Sequence, residues 1–186
     1  MIEIKRLTQF DAADAQRLIS GYVSNAKHRV EKTETLHQII IKLELTSLSR
    51  PYVKQYESLD SETFGKYCEL LGYGFSFGAY EDNRCVGFAL SEPQRWNNTL
   101  WVWELHIAQE YRLQGIGQQL MSRVIDDARL AGLRSVICET QNTNVPAISF
   151  YQKMGFNLAG IDLSYYSNHD YPDGEIAVFM KKELSI

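Results

Sequence analysis

The stretch Arg112-Leu113-Gln114-Gly115-Ile116-Gly117 decides the reading of this chain. It separates a strand-like run, Leu100 to Ile107, from a helix-like run, Ile116 to Ala131. A glycine-rich turn that opens a helix presents free backbone N–H groups at the positive end of the helix dipole, and such a place binds phosphate. Three loop types compete for it. A triphosphate-binding loop needs Lys followed by Ser or Thr after its last glycine, and Gly117 is followed by Gln118-Gln119. A dinucleotide loop needs a third small residue three positions after the second glycine, and that position is Leu120. What remains is a glycine pair with an arginine ahead of it.

Working outward, the row Ile116, Leu120, Val124 and Ala128, with Met121 and Ile125 beside it, forms a core-facing helical stripe. Gly132 is placed to end that helix. Ser135 to Glu139 reads as a short apolar strand, so Leu100 to Glu139 forms a strand–helix–strand crossover with parallel strands. Asn144 is an N-cap candidate with Pro146 in the first turn, and its helix runs through Phe150 and Tyr151 to Gly155. Leu158 to Tyr165 and Glu175 to Lys181 make a closing hairpin, linked by Asn168 to Gly174.

Upstream, Gly74 to Tyr80 and Arg84 to Ser91 form a hairpin around Glu81-Asp82-Asn83. Ile2 to Leu7 alternates like a half-buried strand, and a helix follows through Phe10, Ala13, Leu18 and Ile19. Ser24 to Thr35 reads as a polar loop, His37 to Leu45 as a strand and Arg50 to Tyr56 as an ordered loop. Ser61 is the expected N-cap of a helix ending near Leu71. The fold class is α/β of the α+β type: a mixed, mostly antiparallel twisted sheet with helices on both faces. The 186 residues suit a single domain, 1–186.

Composition narrows the function. A net charge of −4 without a Lys/Arg stripe argues against nucleic acid. No apolar run approaches ~18 residues, and the N-terminus does not resemble a signal peptide, so a cytoplasmic protein without membrane contact is expected. Cys68, Cys85 and Cys138 lie far apart in apolar runs and read as buried structural thiols, with no metal site expected.

The loop Arg112 to Gly117 resembles the acetyl-CoA pyrophosphate loop of the GNAT N-acetyltransferase superfamily. The stretch Asn144-Val145-Pro146-Ala147-Ile148-Ser149-Phe150-Tyr151-Gln152-Lys153-Met154-Gly155-Phe156 resembles that family's second motif, an Asn-led helix with Phe-Tyr and then Gly-Phe. More narrowly, Pro51 to Tyr56, Cys138 to Asn144 and Tyr165 to Met180 are similar to segments of streptothricin acetyltransferases, which acetylate an amine on the β-lysine arm of that antibiotic.

The resemblance implies acetyl-CoA as donor and direct transfer to a primary amine in a ternary complex. The acceptor it implies is small and cationic, streptothricin-like. Arg112, Leu113, Gln114, Gly115, Ile116, Gly117 and Gln118 would hold the pyrophosphate, and Leu105, His106 and Ile107 would pair like a strand with the pantetheine arm. Asn144 would reach that arm or simply cap its helix. A backbone N–H near Ile107 would stabilise the oxyanion. Tyr151 matches the family's general acid, the alternative being a packed helix aromatic.

Alternation along Leu100 to Ile107 puts Trp101, Trp103, Leu105 and Ile107 on one face and Val102, Glu104 and His106 on the other. A carboxylate among apolar neighbours is costly without a purpose or a partner. Glu104 is therefore the candidate base, or attracts the ammonium, or pairs with a cation of the chain. His106 ranks second. Tyr52, Tyr56, Glu139 and Tyr165 are candidates for the acceptor pocket. Two other readings stand beside this one: a protein or peptide N-acetyltransferase, and a non-catalytic acyl-CoA-binding sensor. The exposed closing hairpin is the expected place for a homodimer contact.

Overall fold

The computed structural model describes residues 1–185. In chain order the elements are β1 (Glu3–Arg6), α1 (Ala12–Leu18), β2 (Tyr22–Glu34), β3 (Ile39–Lys54), α2 (Ser61–Leu71), β4 (Phe77–Glu81), β5 (Arg84–Gln94), β6 (Thr99–Ile107), α3 (Ile116–Leu130), β7 (Ser135–Gln141), α4 (Val145–Lys153), β8 (Asn157–Asp162) and β9 (Ala177–Glu183). They fall into two compact units. The first takes residues 1–20, 55–138 and 182 onward; the second takes 21–54 and 139–181.

In the first unit the strand order is β1-β4-β5-β6-β7. All neighbours are antiparallel except β6 and β7, which pair in parallel from Thr99↔Ser135 to Val102↔Cys138. That parallel pair, with α3 as its crossover, is the unit predicted around the glycine loop. Helices lie on both faces. Phe88 and Leu90 of β5 cluster with Leu18 of α1 and with Tyr67, Leu70 and Leu71 of α2. Tyr80 of β4 belongs to the same cluster. On the opposite side of β4, Phe77 lies under the guanidinium of Arg123 from α3. The α3 stripe is buried as its spacing predicts, with Leu120, Met121, Val124 and Ala128 all at 0% exposure.

β6 does not alternate cleanly. Its pairing with β5 slips between Leu90↔Glu104 and Ser91↔Val102, so Trp103 is an extra residue. Leu90 and Ser91 point to opposite faces, and their partners Glu104 and Val102 must do the same. The bulge therefore separates Glu104 and His106 from Val102, which sequence alternation had grouped together. It turns the two polar side chains to the face covered by α1 and α2.

The second unit contains two antiparallel pairs, β2–β3 and β8–β9, with α4 packed against β2. The long ribbon β2–β3 replaces the loops expected at Ser24 to Thr35 and Arg50 to Tyr56. Of β2 only Tyr22, Ser24 and Val30 are buried. A ribbon that is wet on nearly all positions leaves no period-2 signature to read.

Local signals landed close to their places. The N-cap of α2 is Asp60 rather than Ser61; its carboxylate accepts the Thr63 N–H at 2.7 Å. Gly132 and Gly155 follow the helix ends with φ of 71° and 82°. Both close Schellman motifs, through Leu133 N–H to Ala128 O and Phe156 N–H to Tyr151 O, each at 3.0 Å. None of the three cysteines forms a disulfide, and Cys68 is exposed, unlike the buried Cys85 and Cys138. No helix of the described residues is long and apolar enough to cross a membrane.

Candidate active site

In the first unit the glycine loop leaves β6 through a 3-10 turn, Gln109–Tyr111. Leu113 and Gly115 then take left-handed φ values of 62° and 81°. Gly115 is the N-cap of α3, and no side chain caps that end. The first-turn N–H groups of Ile116, Gly117 and Gln118 thus have no acceptor within the helix, at its positive pole. A Cβ on Gly115 would meet no protein atom within 4 Å, so its φ, not crowding, demands glycine. The Arg112 and Gln114 side chains shape the loop itself. Arg112 Nε donates to Ile107 O at 3.1 Å and its Nη2 to Ser20 Oγ at 3.0 Å, while Gln114 Nε2 donates to Glu110 O at 2.9 Å. An uncapped helix start behind two left-handed residues fits an anionic diphosphate.

The strand edge beside this loop has a matching character. The parallel ladder to β7 stops at Val102↔Cys138, while the ladder to β5 continues to Gly87↔Ile107. Ala108 N–H donates to Val86 O at 2.9 Å, which makes Val86–Ala108 a hydrogen-bonded pair. By alternation Phe88–His106 is hydrogen-bonded too, whereas Ala89–Leu105 and Gly87–Ile107 are not. The amide groups of Leu105 and Ile107 therefore point away from β5, past the end of the β7 ladder. Those of His106 point into the sheet. Of the three residues expected to pair with an amide-rich arm, the backbone offers Leu105 and the N–H of Ile107, whose carbonyl accepts from Arg112, and His106 contributes only its side chain.

That side chain joins Glu104. His106 Nε2 lies 2.6 Å from Glu104 Oε2, and the Tyr67 hydroxyl donates to Glu104 Oε1. The His106 ring packs against Phe88 at 5.4 Å and edge-on to Tyr56 at 5.9 Å between centroids. Burial, and then the Glu104 carboxylate, push the Tyr67 phenol well above its ordinary range. Tyr67 is thus a permanent donor that orients Glu104. Glu104 keeps 25% of its side chain exposed, against 12% for His106. Sequence reasoning found Glu104, His106 and Tyr56 but missed Tyr67, which sits among the apolar residues of α2 and reads as core.

The second unit carries the remaining candidates. Asn144 caps α4, its side chain accepting the Ala147 N–H at 3.2 Å. Tyr151 is 7% exposed, with Phe150 and Phe156 at 5.3 and 5.6 Å between ring centroids. Its position is set by the Schellman turn at Gly155, whose Phe156 folds back on it. Glu139 accepts the Tyr166 hydroxyl, and Tyr165 packs edge-on against Tyr166 and Phe179. Tyr52 donates to Glu175 Oε1 at 3.0 Å, in a cluster with Thr143, Tyr22 and Lys54; Lys54 Nζ lies 2.5 Å from Glu175 Oε2. Burial, and then Glu175, push the Tyr52 phenol up to about 12. The Glu175 carboxylate itself sits below its usual range, because hydrogen bonds from Lys54, Tyr52 and Thr143 outweigh its burial. Neither Thr143 nor Glu175 was a candidate from sequence.

Comparison with known proteins brings these features under one description. A model of the acetyltransferase (GNAT) family matches residues 42–156. The streptothricin acetyltransferase A of Bacillus subtilis (strain 168) is 33% identical over 131 residues, 70% of this chain and 73% of that protein. The crystal structure of a nourseothricin acetyltransferase superposes with a TM-score of 0.79 at 27% identity, covering 99% of both chains. A Bacillus anthracis protein of the streptothricin acetyltransferase type, solved in complex with acetyl coenzyme A, has the same fold: TM-score 0.75, 23% identity, 99% of this chain and 100% of that one.

Proposed function

The chain belongs to the GNAT family and is an acetyl-CoA-dependent N-acetyltransferase, and from that premise we propose that its acceptor is a primary amine of a small cationic molecule of the streptothricin type, acetylated directly in a ternary complex. The observation that carries this reading is the Glu104–His106–Tyr67 cluster at the open end of β6. The name of the Bacillus subtilis relative supports the acceptor class. The whole chain, 1–186, is taken as one acetyltransferase domain, and the family match at 42–156 draws residues from both units.

Acetyl-CoA supplies an acetyl group already activated as a thioester. The residues divide the remaining work. The N–H groups of Ile116, Gly117 and Gln118, with those of the left-handed turn at Leu113 to Gly115, hold the diphosphate by hydrogen bonds and dipole. Leu105 and Ile107 pair with the amides of the arm as a strand would. An alkylammonium has a pKa near ~10 and must lose a proton before it can act as a nucleophile. Glu104 attracts the cation and takes that proton, and His106 shares it through their 2.6 Å contact. Tyr151 supplies a phenolic proton to the leaving group. Asn144 caps α4, the helix that carries Tyr151. Tyr52, Tyr56, Glu139 and Tyr165 contribute to acceptor recognition, Tyr56 through its ring on His106.

The test is CoA release with a panel of streptothricin, polyamines, aminoglycosides and N-terminal peptides. Turnover is expected with small cationic amines. Glu104→Gln should lower kcat/KM by roughly 10²-fold or more, the usual contribution of a positioned base, with acetyl-CoA affinity unchanged by calorimetry. Turnover of peptides alone, or full activity of Glu104→Gln, would overturn the proposal.

A further inference from the structure

The outer part of the β2–β3 ribbon is an extended surface that the acetyltransferase chemistry leaves unused. We propose that it is a dimer interface, in which the outer edge of β3 pairs antiparallel with the same edge of a second copy of this chain, centred on Leu43.

The backbone makes this register available. Thr35 N–H donates to Gln38 O at 2.8 Å, in step with the β2–β3 register Glu34↔Ile39. Thr35–Gln38 is therefore a hydrogen-bonded pair, and alternation assigns the rest. Thr33–Ile40, Glu31–Lys42 and Arg29–Glu44 are bonded within the ribbon. Glu34–Ile39, Lys32–Ile41, Val30–Leu43 and His28–Leu45 are not, so their amides point outward. On the β2 edge such outward groups are already used: His28 N–H donates to Asn142 O at 2.9 Å and Lys32 N–H to the Tyr171 hydroxyl at 3.0 Å. On the β3 edge the outward residues are Ile39, Ile41, Leu43, Leu45 and Ser47, and β3 has no second ladder among the described residues. A two-fold axis through Leu43 sets Leu43 against the partner's Leu43, Ile41 against the partner's Leu45, and Ile39 against the partner's Ser47. Every one of these is an outward-facing residue, so each pair can exchange two hydrogen bonds.

The side chains agree with the backbone. The same axis sets Lys42 against the partner's Glu44 and Glu44 against the partner's Lys42. These become non-hydrogen-bonded pairs, in which side chains approach most closely. Across four strands the row then reads Glu31, Lys42, the partner's Glu44, the partner's Arg29, with charges alternating at every step. In one protomer the hydrogen-bonded ion pairs of these charges run along their own strands, Lys42 with Glu44 at 2.8 Å and Arg29 with Glu31. On the other face Ile39, Ile41 and Leu45 are 61, 39 and 59% exposed. Pairing at Leu43 lines them up with the partner's set into one apolar stripe beside Val30. Edge strands that avoid pairing carry a proline, a bulge or a charge facing the wrong way. Ile39 to Ser47 has no proline, its pairing to β2 is regular throughout, and its charges complement a second copy.

Sedimentation velocity on the full chain tests this, with the dimer expected at twice the 21.4 kDa chain mass. Leu43→Pro should abolish the dimer while sparing the β2 ladder, because the amide it removes points outward. Lys42→Glu and Glu44→Lys should each be monomeric, since each brings like charges together across the axis. An equimolar mixture of those two variants should recover the dimer, because the acidic pair of one chain then meets the basic pair of the other. Acetyl-CoA binding by calorimetry, retained in all three, shows that the fold is intact. A monomeric wild type, a dimer that survives Leu43→Pro, or a mixture that stays monomeric overturns the proposal.

Discussion

Glu104 illustrates how much chemistry one side chain draws from its neighbours. Its two oxygens are engaged by different partners, Tyr67 from α2 and His106 from its own strand. Tyr67→Phe would leave the carboxylate in place but remove the donor that orients Oε1. Turnover should fall by about tenfold with acetyl-CoA affinity unchanged, the order expected for one oriented hydrogen bond to a charged group. Equal losses in both would make Tyr67 a packing residue. Glu175 presents the opposite case, a carboxylate committed to structure. Its pKa is lowered in the fold, so the stability it confers is complete above the ordinary carboxylate range and disappears as pH falls through the folded value. Glu175→Gln should lower the thermal midpoint near neutral pH and flatten its acid limb. An unchanged pH profile would show that the cluster with Lys54 and Tyr52 contributes nothing to folding. Glu104 stood out as a candidate because a lone carboxylate in an apolar strand is conspicuous. Glu175 did not, because its partners come from three separated stretches of chain, around Tyr22, Tyr52 to Lys54 and Thr143.

The elements that matter most are helix starts and stops. Gly115 holds φ at 81° ahead of α3 and Gly155 holds 82° behind α4. One shapes the glycine loop; the other fixes the turn that locks Phe156 onto Tyr151. Alanine at either place adopts a conformation that costs an L-residue about 1–2 kcal/mol. Gly115→Ala should raise the acetyl-CoA dissociation constant, whereas Gly155→Ala should lower turnover and leave that constant alone. Calorimetry beside steady-state rates separates the two, and matching effects of both variants would refute the division of labour. Both glycines were visible in the sequence because caps are local. The bulge at Trp103 was not. It arises from the mismatch of β6 against β5, and only the register between two strands records it.

The whole molecule is two compact units interleaved along one chain. If β3 pairs with its copy, folding is linked to association, and the thermal midpoint should rise with protein concentration. Leu43→Pro should abolish that dependence; a midpoint independent of concentration in the wild type would argue against the pairing. By itself the sequence determined the glycine loop ahead of α3, the α3 and α4 caps, the β6–α3–β7 crossover and the acidic candidate on β6. Each is written in residues close together in the chain, where glycine conformation, capping and helical spacing act. Only the tertiary structure decided which face Glu104 occupies, that Tyr67 orients it, that Leu105 and Ile107 rather than His106 offer their amides, and that a polar stretch is half of a long ribbon. These depend on strand register and on contacts between distant segments, and a linear pattern carries no record of a partner that lies far along the chain.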